Sequence, residues 1–172
     1  MRKFLPVVLL AATSLSGQNK FPKDIALQWK NVQSEYTAFG EIKPILINSG
    51  KLSVFLSRLW PNGGAQLQRL DPESGSWEDG AWGRTCAMVA NPDLPVEVKA
   101  NSERAADLDW GISTDDGDKP TYFVTEKSHE RHPIEGKYRF FLRYTLKPWA
   151  VGSGDPGMIF VFTSPEFSIL PN

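Results

Sequence analysis

The stretch KYRFFLRYTL, residues 137–146, decides the fold class. Tyr138, Phe140, Leu142 and Tyr144 fall on one side of an extended chain. Lys137, Arg139, Phe141, Arg143 and Thr145 fall on the other. Apolar residues with a period of two are the mark of a β-strand with one face on a core and one facing away from it. Downstream, GMIFVFTSPEFSIL (157–170) reads as a closing strand, bent or bulged at Pro165.

Upstream the same pattern returns in shorter pieces. KLSVFLSRLW (51–60) places Leu52, Val54 and Leu56 on one face. Asn48-Ser49-Gly50 ahead of it reads as a turn in which Gly50 supplies a positive φ and Asn48 bonds its own backbone. EIKPILIN (41–48) is a strand with an edge-type Pro44. IALQWKNV (25–32) fits a strand better than a helix. AQLQRL (65–70), the turn DPESG (71–75) and SWEDG (76–80) form a hairpin pattern. VEVKA (96–100) and ADLDWGI (106–112) read as strands flanking Asn101-Ser102-Glu103, TYFVT (121–125) as another, and KSHERHPIEG (127–136) as a connector. Strands at this spacing, with no long amphipathic helix, predict an all-β sandwich or barrel.

Composition narrows the function. The chain has 172 residues, 19 Lys+Arg against 20 Asp+Glu, and a net charge of −1. That balance leaves no electrostatic footprint for nucleic acid. Its 13 Pro and 14 Gly exclude a coiled coil, and the single Cys excludes a disulfide within the chain. MRKFLPVVLLAATSLS (1–16) has a basic start, an apolar run and small residues Ser14 and Ser16 before a cleavage point. This is the layout of a secretory signal peptide, and the run is too short to span a membrane. The expected organisation is a signal peptide at 1–16, a flexible leader at 17–24 and one domain at 25–172. Localisation is then extracytoplasmic, periplasmic or secreted, with no membrane span in the mature chain.

The order of an Asn48-Ser49-Gly50 turn, AQLQRLDPESGSWEDG, a mid-chain Cys86, VEVKANSE, Gly136-Lys137-Tyr138-Arg139 and Ser164-Pro165-Glu166-Phe167 resembles the bacterial immunoglobulin-like domain family of small exported proteins. The resemblance covers about residues 41–170. It implies an immunoglobulin-like antiparallel β-sandwich and no catalytic residues. In such sandwiches a tyrosine at the position of Tyr138 bonds its hydroxyl back to upstream backbone, a tyrosine corner. The acceptor is expected near 130–136.

Candidate chemistry is sparse. His129, Glu130 and His132 offer three ligands for a metal, but the spacing and Pro133 do not fit a zinc-protease helix. Asp115, Asp116 and Asp118 around Gly117, with Asp107 and Asp109 nearby in sequence, hint at calcium without the spacing of a calcium-binding loop. Cys86 reads as a buried small hydrophobe and Trp110 as a core residue. Trp77, Trp82 and Trp149 stand in or beside turns, where aromatic rings stack on sugars or anchor a protein partner. No nucleophile elbow, phosphate loop or dinucleotide fingerprint is present. The leading expectation is a non-catalytic module, without cofactor, that binds a protein or surface polymer. Alternatives are a carbohydrate-binding module using the tryptophans and a metal-dependent enzyme using residues 114–132.

Overall fold

A computed structural model describes residues 22–56, 65–80, 95–105, 112–113, 122–148 and 157–171. Trp82, Cys86, Trp110, Trp149 and the aspartates at 107, 109, 115, 116 and 118 lie outside them. The described strands are β1 (Leu27–Lys30), β2 (Glu35–Tyr36), β3 (Ile45–Asn48), β4 (Val54–Leu56), β5 (Ala65–Leu70), β6 (Trp77–Asp79), β7 (Val96–Val98), β8 (Ser102–Ala105), β9 (Ile112–Ser113), β10 (Tyr122–Val124), β11 (Arg131–Pro133), β12 (Gly136–Thr145), β13 (Phe160–Thr163) and β14 (Phe167–Ile169). A single 3-10 turn at Phe39–Glu41 is the helical content of the described residues, and the fold is all-β. Among these residues no helix is long and apolar enough to cross a membrane.

The ten-residue strand β12 organises the principal sheet. One of its edges takes β14 along 136–138 and β13 along 141–144. The other takes β5 along 138–142 and β4 along 144–145. Outside these lie β2, β6 and β7. All pairings are antiparallel except β2 with β14. Two three-stranded sheets, β1-β3-β8 and β11-β10-β9, complete the described fold.

The inner face of β12 spans two apolar clusters. Leu142 and Tyr144 join Ile25, Leu46, Val54, Val98 and Phe160 in one. Tyr138 and Phe140 join Tyr36, Phe123, Phe167 and Ile169 in the other. The core therefore lies between the principal sheet and its two smaller neighbours, as in packed sheets generally. Trp29 of β1 packs on both clusters, with ring centroids 5.3 Å from Phe140 and 6.0 Å from Phe162.

Several local expectations change. Residues 48–50 do not close a hairpin, because β3 and β4 belong to different sheets. Gly50 does not have a positive φ. Glycine is required there by close approach, since a Cβ would lie 2.5 Å from the Asp24 carbonyl oxygen and 2.7 Å from the Ala26 nitrogen. Leu52 is 44% exposed and outside β4, because its N–H and that of Lys51 turn back to the Asp24 carbonyl. Pro44 precedes β3, which is central in its sheet. Asn101, at φ 53°, makes a turn that carries the chain from β7 in one sheet to β8 in another, so Ser102 and Glu103 are strand residues. The expected connector contains β11, which pairs with β10.

The break at Pro165 falls between β13 and β14. Ser164 keeps β12 bonded across it. Its N–H donates to the Phe140 carbonyl at 2.9 Å, and its Oγ accepts the Phe140 N–H at 2.8 Å.

Candidate functional site

The outer face of β6-β5-β12 carries the most developed surface arrangement in the described residues. The β5–β6 turn sets it up. Asp71 accepts backbone N–H groups from Glu73 and Ser74, and Gly75 takes the left-handed conformation at φ 67°. The resulting register places Trp77 opposite Leu70 and Asp79 opposite Gln68. Gln68 in turn stands opposite Arg139 on β12.

These side chains hold one another. The Arg139 guanidinium lies over the Trp77 ring, 4.2 Å from its centroid. Arg139 Nε donates to Gln68 Oε1 at 2.7 Å, and Gln68 Nε2 donates to Asp79 Oδ1 at 2.6 Å. Two residues back along β5 on the same face, Gln66 Nε2 donates to Glu126 Oε2 at 3.2 Å. Burial pulls the Arg139 guanidinium below its usual value, against the opposing pull of Glu166 and Asp79. Arginine stays charged under such a shift at neutral pH. Further along the same face Arg143 lies 5.0 Å from the centroid of Phe141. The face thus presents an indole and a guanidinium fixed by a buried glutamine. It can stack and donate hydrogen bonds without first ordering its side chains.

The inner-face end of β5 and β6 has a different character. Arg69 stands opposite Glu78 on β6 and Tyr138 on β12. His132 of β11 approaches from the facing sheet, its Nε2 3.8 Å from Glu78 Oε2 and 3.9 Å from Glu130 Oε2. Thr125, just after β10, bridges to Gly80, and Glu126 N–H donates to the Asp79 carbonyl at 2.8 Å. Those bonds fix the seam between β6 and the β9–β11 sheet.

Of the three candidate metal ligands, Glu130 and His132 are brought together. His129 sits at an exposed turn with φ 57°, its N–H bonded to the Thr125 carbonyl. Among the described residues no three His, Cys, Asp or Glu side chains are grouped to hold a metal ion. Trp77 is a half-buried residue at the start of strand β6, beside the 71–75 turn as expected. The Tyr138 hydroxyl donates to the Ile134 carbonyl at 2.7 Å, within the loop expected to supply the acceptor. Burial raises the Tyr138 phenol, and the Arg69 charge and hydrogen bond offset part of that rise.

Gln68, Arg69, Glu78 and Arg139 were given no role by the sequence pattern. A signal for Arg69 was present: in AQLQRL it shares a face with Ala65 and Leu67, where a charge is out of place. Comparison with known proteins finds no matching family model, curated protein or solved structure.

Proposed function

We propose that the chain is an exported, non-catalytic immunoglobulin-like module that binds a protein or surface polymer at the cell envelope or outside it. The observation that carries this reading is the Trp77–Arg139 stack held by Gln68 and Asp79 on the outer face. Aromatic and arginine side chains held in place on sheet strands are typical anchors of recognition surfaces. The signal-peptide pattern of residues 1–16 supports export. The Tyr138–Ile134 bond and the apolar clusters that line the inner face of β12 support the immunoglobulin-like reading.

The test is retention of envelope material on the immobilised protein. The protein and polysaccharide fractions are applied separately. The expected result is capture of one defined species, with retention at least tenfold lower for Trp77→Ala with Arg139→Met and no loss of folded structure by circular dichroism. Tenfold corresponds to about 1.4 kcal/mol, a lower bound for losing anchors of an interface. Equal retention by both forms would contradict the reading.

A carbohydrate partner is the second reading. It is favoured by the half-buried indole set among planar amide, carboxylate and guanidinium groups. Binding on a glycan array that vanishes with Trp77→Ala supports it. A blank array counts against the carbohydrate reading.

A further inference from the structure

The strand β13 pairs with β12 on one side and takes no strand on the other among the described residues. The phase of that ladder follows from Ser164, whose N–H donates to the Phe140 carbonyl. Backbone groups alternate in direction along an antiparallel pair, so Phe162 and Phe160 aim theirs at Leu142 and Tyr144. Val161 and Thr163 aim theirs away from the sheet, and no described residue bonds them. Further along the same edge, β2 covers β14. The Ser34 and Tyr36 carbonyls accept the Ser168 and Leu170 N–H groups there, at 2.8 and 2.9 Å. The register of β2 stops short of β13. The usual protections of a bare edge are missing as well, since GMIFVFTS (157–164) has no charged residue and no Pro. Val161 lies opposite Arg143 and is 42% exposed, and Ile159, two residues before it, is 43% exposed.

We propose that β13 pairs with β13 of a second copy of this chain, antiparallel and about a twofold axis at Val161. That register sets outward groups against outward groups, each Val161 against its counterpart and each Ile159 against the partner's Thr163. Charge favours a second copy over a foreign strand. The segment carries no charge that would repel its own image or select an oppositely charged partner. The pairing covers the exposed Val161 and Ile159 and joins the two principal sheets edge to edge. A twofold axis perpendicular to the sheets keeps both outer faces on one side, so the dimer presents two Trp77–Arg139 surfaces together. The pairing itself does not rest on what that surface binds.

Sedimentation equilibrium of the purified protein from about 10 µM to 1 mM, the range suited to a small interface, tests the proposal. The expected mass rises from one chain to two and no further. Val161→Lys brings two ammonium groups together at the axis and is expected to weaken dimerisation at least tenfold. Val161→Pro removes the outward N–H without touching a bond to β12, a change that edge strands admit, and should have the same effect. Hydrogen exchange of the wild-type protein is a measure independent of either variant. The Val161 and Thr163 amides should exchange several-fold more slowly at the upper end of that concentration range than at the lower. A protein monomeric throughout the range would overturn the proposal. So would undiminished dimerisation of the folded variants, or a dimer in which these two amides exchange as fast as in the monomer. Protection of the two amides only after an envelope protein fraction is added would give the edge to a foreign strand and likewise overturn it.

Discussion

Three tyrosines inside the fold differ in what their hydroxyls meet. Tyr36 Oη donates to the Asn31 carbonyl at 3.1 Å and accepts the Gln33 N–H at 2.9 Å. Tyr138 Oη donates to the Ile134 carbonyl. Tyr144 Oη is buried without a partner among the described residues, and burial pushes its phenol up to about 12. The same substitution therefore has opposite consequences on one strand. Tyr138→Phe loses the hydroxyl's bond to the Ile134 carbonyl, and it should destabilise by about 1 kcal/mol. Tyr144→Phe removes an unsatisfied hydroxyl and should be neutral or slightly stabilising. Urea denaturation of the two variants checks the contrast, and equal losses would refute it. Gly50 is constrained as tightly as either ring. Gly50→Ala drives a Cβ into the backbone at Asp24 and Ala26, and a loss of about 1–3 kcal/mol is expected in the same experiment.

Single side chains also decide how strands meet. Asn48 is fully buried. Its Nδ2 donates to the Leu52 carbonyl at 2.9 Å and to the Val98 carbonyl at 3.1 Å, while its Oδ1 accepts the Gly50 N–H. It ties β3 of one sheet to β7 of another. Asn48→Ala leaves three backbone groups without this partner, and about 2–3 kcal/mol should be lost on denaturation. The β5–β6 turn depends on Asp71 in a pH-sensitive way. The Ser74 hydroxyl, and after it the Glu73 N–H, hold this carboxyl below its usual value. A depressed native value means that the contribution is complete above the unfolded carboxyl's value near 4 and fades as the pH falls through the native one. The Glu73 and Ser74 amide resonances should shift together in that acid range, and Asp71→Asn should abolish the shift.

Elements governed by local sequence were legible in advance. β12 follows from its alternation, the β5–β6 hairpin from DPESG, and the β13–β14 break from Pro165. Elements governed by distant partners were not. β8 pairs with β3 across more than fifty residues, and β11 is three residues long without a hydrophobic pattern. The candidate surfaces divide in the same way. Trp77 stood out by residue type, whereas Arg139 acquires its role only when β5 and β6 deliver Gln68 and the indole beside it. The Arg69 seam needs three strands and the facing sheet before its residues meet.

At the scale of the whole molecule, β12 has two jobs. Its inner face supplies Tyr138, Phe140, Leu142 and Tyr144 to both apolar clusters, all four at 0% exposure. Its outer face supplies Arg139 to the proposed recognition surface. Strands on both edges protect its backbone through most of its length. Opening β12 thus requires breaking both clusters at once, so its interior should open only with the whole domain. Native-state hydrogen exchange, resolved by residue, measures this directly. The hydrogen-bonded amides of Tyr138–Tyr144 should be the slowest in the protein, with opening free energies equal to the global unfolding free energy. Exchange of these amides faster than those of β3 or β10 would show that β12 is not the element on which the fold depends.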